Sequence, residues 1–206
     1  MNLSRQIDGQ QVTISVADHH GPLGEDVLET LQKLDAKGPP LRDGMHVAFG
    51  WTVLTLTRVG EELRVYEPDF RSDPLQFTSP MVYDTLWVLA AQISLCKKVR
   101  VEPQVAWYTH QVLVRRGVLD ERRVYLERRA PSTADDSGWF IGSVEKHDQP
   151  PLSDLDAMPV LEVYRRRRTL LEAMALPTGY LAVYDGDVLE AVLDSGNHNL
   201  LAGTTP

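Results

Sequence analysis

Three patterns in the sequence point to an α+β protein of two small domains, each a mainly antiparallel sheet with a packed helix. Short segments of alternating polarity are joined by tight-turn residues, so neighbouring strands need no long crossover. Three segments, over 24–35, 81–99 and 160–176, place apolar residues at helical spacing. Between them, residues 130–138 (APSTADDSG) crowd Pro, Ser, Thr, Asp and Gly into a linker, which sets the domains at 1–130 and 131–206. A chain of 206 residues suits one or two domains and can bury a core without staples.

The elements follow in order. Residues 11–16 (QVTISV) alternate and carry β-branched side chains, the signature of a strand. Asp18-His19-His20-Gly21-Pro22 is a turn. Val27, Leu28, Leu31 and Leu34 give the first helix its apolar face, and Gly38-Pro39-Pro40 stops it. Over 47–57 the pattern is that of one half-buried strand, with Phe49, Trp51, Val53, Thr55 and Thr57 on one face. Val59-Gly60-Glu61 turns the chain into a returning strand at 62–66. Residues 67–79, with Pro68 and Pro74, form a polar loop.

Ser79 and Pro80 suit the N-cap and first position of a helix over 81–99. Its apolar stripe is Val82, Leu86, Leu89, Ala90, Ile93 and Cys96. Lys97, Lys98 and Arg100 lie at the end where the helix dipole favours cations. Residues 105–114 fit a strand or a helix. Residues 122–129 (RRVYLERR) read as a strand with Val124 and Leu126 inward. Strands are also expected at 139–144, 180–184 and 188–193, the last two joined in a hairpin by Asp185-Gly186-Asp187. The helix over 160–176 offers Leu161, Tyr164, Leu170, Leu171 and Met174 to the core and ends at Pro177-Thr178-Gly179. The tail from Asn197 has few anchors and is expected to fray.

Composition narrows the function classes. The chain is 43% hydrophobic and 24% charged, ordinary values for a globular protein. Its one cysteine, Cys96, excludes an internal disulfide framework. The start, MNLSRQIDGQQ, has no apolar segment of the signal-peptide kind, and the longest apolar run is six residues, so a cytoplasmic protein with no membrane partner is expected. The net charge is −8 and uneven: residues 131–206 hold 12 acidic against 5 basic side chains. A compact acidic segment repels nucleic acid and attracts basic surfaces.

No constellation of catalytic residues emerges. Histidines at 19, 20, 46, 110, 147 and 198 lack the spacing of converging metal ligands, so no metal is expected. Cys96, in an apolar stripe, reads as a small buried hydrophobe. Asp135-Asp136 and Asp185-Gly186-Asp187 hold paired carboxylates in turns, where aspartate is favoured for backbone reasons. Arg165 to Arg168 point almost all round a helix, each ~100° from the last, and cannot form one phosphate-binding stripe. Neither a Walker loop, a dinucleotide fingerprint nor a Gly-x-Ser-x-Gly elbow occurs, so no cofactor is expected.

The last third carries a pattern of its own. Ser137-Gly138-Trp139-Phe140-Ile141-Gly142 opens it. Leu161-Glu162-Val163-Tyr164, the arginine run and the helix ending Leu176-Pro177-Thr178-Gly179-Tyr180 follow. Tyr184-Asp185-Gly186-Asp187, Glu190-Ala191-Val192 and Asp194 close it. This resembles the immunity domain thirty-three family of bacterial polymorphic-toxin systems over about 137–196. The resemblance implies a protein that is not an enzyme but binds and blocks a cognate protein toxin. An acidic second domain suits a basic toxin, such as a cytosol-acting nuclease delivered by a type VI or similar secretion system. No arginine or lysine follows Arg168, so Asp185, Asp187, Glu190 and Asp194 have no basic neighbour in local sequence and are the expected toxin-binding residues. The competing readings are a cytosolic hydrolase with an Asp/His site and an adaptor protein of a secretion system.

Overall fold

The chain opens with a hairpin that the alternation at 11–16 shows only half of. Strand β1 (Asn2–Ile7) pairs antiparallel with β2 (Gln10–Ser15) around Asp8-Gly9, both at positive φ, 44° and 77°. Asp-Gly is a strong signal for such a turn. The structure, a computed structural model, describes residues 1–74, 76–146 and 150–202. It is α+β, with two mixed, mainly antiparallel sheets.

The first sheet has the order β1-β2-β5-β4-β3, with β3 (His46–Phe49), β4 (Thr52–Val59) and β5 (Glu62–Pro68). Among its described strands only β2 and β5 run parallel. A two-residue strand, β6 (Thr78–Ser79), adds to β5. Helix α1 (Gly21–Lys37) buries Val27, Leu28 and Leu31 in one cluster with Val12, Ile14, Leu56 and Val65. Gly24 lets the helix approach the sheet: a Cβ there would sit 2.8 Å from the Leu3 side chain.

Residues 47–57 are not one strand. Gly50, at φ 58°, turns the chain between β3 and β4. The turn shifts the alternation by one, and a one-residue shift exchanges the faces. Leu54 and Leu56 are buried, and Val53, Thr55 and Thr57 are half-exposed. Trp51 fills the core at the turn and stacks on Phe70, with ring centroids 4.9 Å apart.

Helix α2 (Asp84–Val99) starts later than Ser79-Pro80 suggests. Its cap comes from a distant side chain. The buried Glu67 carboxylate accepts the backbone N–H groups of Tyr83, Asp84 and Thr85 at 2.9, 3.1 and 2.7 Å. Burial pushes this carboxyl up while the three amides pull against it, and it ends above the usual range.

The second sheet has the order β10-β7-β9-β8-β11-β12. Its strands are β7 (Gln111–Arg115), β8 (Arg123–Arg128), β9 (Asp136–Ser143), β10 (Leu155–Pro159), β11 (Leu181–Asp185) and β12 (Val188–Leu193). Among its described strands only β7 and β9 run parallel. The helical stretch after β10 breaks at Arg167 into α3 (Val160–Arg167) and a 3₁₀ segment, Arg168–Ala175. The buried sheet face includes Val112, Val124, Leu126, Trp139, Ile141 and Tyr184. The Trp139 indole N–H donates to the Met174 carbonyl at 3.2 Å, which sets the 3₁₀ segment against this face. Residues after Asn197 do not fray at once. The Leu200 N–H donates to the Val192 carbonyl at 2.8 Å, so the chain folds back along the edge of β12. Residues 203–206 lie outside the described residues.

The chain divides into two compact units, Met1–Ala90 and Ala91–Pro206, within α2 rather than at 130–138. Residues 129–135 instead connect β8 to β9, which pair antiparallel with Arg128 opposite Trp139. A hairpin loop and a domain linker draw on the same residues, and composition alone does not separate them. The charge is redistributed accordingly. Met1–Ala90 holds 13 acidic and 7 basic side chains, net −6; Ala91–Pro206 holds 16 and 14, net −2.

Candidate functional site

The hairpin between β11 and β12 turns on Gly186, at φ 59°. It carries Asp185 to the start of β8, where the register sets Asp185 opposite Arg123. The Asp185 carboxylate accepts two hydrogen bonds from the Arg122 guanidinium, the one from Nη2 at 3.0 Å. Beside them, Arg123 Nη2 donates to Glu190 at 2.8 Å and Lys146 Nζ to Glu121 at 2.7 Å. These three ion pairs line an open depression of about 860 Å³, with Glu145 as a fourth acid. Glu190 reaches it through an irregularity in the ladder: Ala191 pairs with Val183 and Leu189 with Tyr184, so Glu190 is the extra residue of a bulge.

The partners shape the charges. Asp185 and Glu190 hold the guanidinium groups of Arg122 and Arg123 above the usual arginine range. Burial pushes the Glu121 carboxyl up, but hydrogen bonds from Lys146 and Ser143 outweigh it and leave it lowered.

Two of the four expected contact residues therefore come together here, and two do not. Asp187 is exposed, accepts the Thr169 hydroxyl at 2.8 Å and lies 3.9 Å from the Arg167 guanidinium. Asp194 closes a turn: its carboxylate accepts the N–H groups of Gly196 and His198 at 2.8 and 3.0 Å, and these hold it below the usual carboxylate range. Arg122 and Arg123 escape a search of local sequence because they lie 63 and 67 residues from Asp185 and Glu190 in the chain, and Lys146 meets Glu121 from 25 residues away. The usable signal was the Arg-Arg pair opening the 122–129 strand.

Beneath the depression lies Arg167, the inward member of the arginine run. Its guanidinium donates to the carbonyls of Glu121 at 2.8 Å, Arg122 at 3.2 Å and Gly186, tying β8 to the hairpin turn. Arg166 pairs with Glu162 one helical turn away at 3.0 Å. Arg128 makes a second clamp. It donates to the carbonyls of Gln104 and Leu176, both at 2.7 Å, and lies over the Trp139 ring. Burial lowers its guanidinium to about 10, so it stays charged at neutral pH.

Other candidates from the sequence are packed or capped. The Cys96 thiol donates to the Ala175 carbonyl at 3.8 Å, and burial pushes it up, away from the reactive thiolate. Asp136 accepts from Ser132 and from the Gly138 N–H within its own loop. Among the described residues, no group of three or more His, Cys, Asp or Glu side chains could hold a metal ion. His147 lies outside the described residues.

The Ser-Gly-Trp-Phe-Ile-Gly motif now has a role at each position. Ser137 Oγ donates to the Gln111 carbonyl at 2.7 Å and accepts the Trp139 N–H at 3.1 Å. Gly138, at φ 74°, passes so near the Arg129 carbonyl that a Cβ would overlap it. Trp139 and Ile141 enter the core, and Phe140 faces the other way. Gly142 leaves room for the Tyr125 ring, which lies across it from β8 and meets Phe140 edge-on at 5.9 Å.

A family model, the Imm33-like domain, matches residues 91–195. The chain belongs to the Imm33-like family. The match covers about half of the chain, more than the 137–196 that the motifs suggest. Its first residue is also the first residue of the second compact unit, so the Imm33-like domain takes in α2 from Ala91 and all six strands of the second sheet. The Imm33-like family is one of immunity proteins, which implies a toxin as partner. No curated protein and no solved structure matches the chain. No helix among the described residues is long and apolar enough to cross a membrane.

Proposed function

We propose that the protein is an immunity protein that acts in the cytoplasm, where it binds a cognate antibacterial toxin and neutralises it by occlusion, without chemistry of its own. The Imm33-like match over residues 91–195, nearly all of one compact unit, carries this reading. The net charge of −8 favours a basic toxin, because opposite charge speeds capture. A nuclease-type effector, basic because it holds phosphates, delivered by a type VI or similar machine, fits that preference. The acids Asp185, Asp187, Glu190 and Asp194 are the proposed contacts. Asp185 and Glu190 already hold arginines, so they offer the toxin a paired surface rather than bare carboxylates.

Co-expression with the toxin encoded by the adjacent gene tests this. Growth restored by the protein is the expected result, and toxicity that persists at equal expression would refute it. In the same system, changing the four acids to lysine should slow association and flatten its salt dependence. An unchanged on-rate and salt slope would remove these residues from the contact surface.

A further inference from the structure

The second sheet has one buried face and one open face. Trp139, Ile141, Val124 and Tyr184 point to the buried side. On the other, Leu113 of β7, Phe140 of β9, Tyr125 of β8 and Leu155 of β10 line a groove of about 630 Å³, closed along one side by Leu152. Leu152 is 87% exposed and Leu113 41%. Single exposed apolar residues need no explanation, but two exposed leucines beside three half-buried apolar side chains, Tyr125, Phe140 and Leu155, around one concavity do. The fold also reserves this face for aromatic rings. Gly142 gives up its side chain so that Tyr125 can lie flat, and the cross-strand register delivers Phe140 beside it. The glycine is covered by the ring, while the outer surfaces of both rings remain available.

We propose that this groove is the anchor site of the immunity protein for its toxin, taking an apolar side chain from the toxin's surface. The proposal rests on the immunity reading above. Its occupant follows from continuity. Tyr125 in the groove and Arg123 in the charged depression lie two residues apart on one face of β8, about 7 Å along the strand. Groove and charged depression thus adjoin on the outer face of one strand, a largely apolar patch beside a charged one, and protein–protein interfaces combine the two. The charges on this surface are mixed: the depression has four acids and three bases, and Arg129 pairs with Glu127 at the groove's edge. The toxin that fits presents an aliphatic or aromatic side chain ringed by charges of both signs. Overall acidity attracts it, and the groove then holds it.

A second copy of the chain is the other possible occupant, and the oligomeric state separates it from the toxin.

The test compares Leu113→Asp and Leu152→Asp with Leu34→Asp, an exposed leucine of α1 in the first unit, all checked for unchanged Tm. The probe is the toxin domain encoded by the adjacent gene, with association and dissociation rates measured against each variant. Central apolar anchors dominate interface energies, so the two groove variants should each weaken Kd by about 30-fold or more, mainly through faster dissociation. Leu34→Asp should stay within about twofold of the unsubstituted protein. Groove variants that bind as the unsubstituted protein does would overturn the anchor site and leave the immunity reading standing. An unsubstituted protein that does not bind overturns both. A dimer in sedimentation that Leu113→Asp dissociates would give the groove to a second copy and overturn the choice of occupant.

Discussion

Gly142 shows how a single missing side chain shapes a surface. A methyl group there overlaps the Tyr125 ring, so Gly142→Ala must lift the tyrosine or shift β9. The expected cost is about 1–3 kcal/mol, as for other insertions into packed positions. Combining it with Tyr125→Ala should recover much of that loss, because the overlap is gone; chemical denaturation of the two single variants and the double variant measures the coupling. His20 offers a second test at this scale. Its ring is buried against His19 and Tyr83, and burial followed by the charge of His19 lowers it below 6.5. The unfolded chain therefore takes up a proton at a pH where the folded one does not. Stability from this group is complete above about pH 6.5 and is lost as the pH falls through that value. Thermal unfolding between pH 5 and 8 should show the decline, and His20→Phe should flatten it.

Among the elements, α2 is the clearest case of a helix whose start is written far from itself. Serine and proline at 79–80 have the right chemistry for an N-terminus, yet the cap is Glu67, seventeen residues before Asp84. Removing the carboxylate in Glu67→Ala strands three amides in a buried place, and about 2–3 kcal/mol of stability should go with them. Glu67→Gln keeps an acceptor and should lose less. If both variants unfold at the wild-type denaturant concentration, the cap contributes nothing. The same contrast explains what the sequence makes legible. The hairpin at Asp185-Gly186-Asp187, the inward Val27, Leu28 and Leu31 of α1 and the inward pair Val124 and Leu126 are local patterns and appear in place, while Leu34, the last of the expected α1 face, is exposed. The split at Gly50 is local but hidden inside an unbroken alternation, whereas the cap from Glu67 and the pairing of Arg122 with Asp185 depend on chain returning from elsewhere. Asp185 and Glu190 could be picked out as turn and edge acids, but their arginines could not be found within a window of local sequence.

At the scale of the whole molecule, the two units give the −8 net charge a new meaning. Most of it, −6, sits on Met1–Ala90, outside the Imm33-like match, while the matching unit is close to balanced. The unit boundary also makes a direct prediction. A fragment of residues 131–206 lacks β7 and β8, which lie between its remaining strands, so β9 loses both neighbours. It should be unfolded by circular dichroism. A fragment of 91–206 keeps every strand of the second sheet and should give the far-ultraviolet signal of a mixed fold. A folded 131–206 fragment would restore the boundary at the 130–138 loop.

The two arginine clamps have an evolutionary consequence. Arg167 and Arg128 hold their surroundings through carbonyl oxygens of Glu121, Arg122, Gly186, Gln104 and Leu176. Every amino acid supplies that oxygen, so substitutions at Glu121, Arg122, Gln104 and Leu176 leave the clamps' acceptors in place, whereas Gly186, at φ 59°, is held to glycine by its backbone. The side chains of Glu121 and Arg122, which line the charged depression, are free to drift while the backbone under them stays fixed. The outward-facing side chains of the depression can thus be rewritten one by one on a frame that does not have to be rebuilt with them.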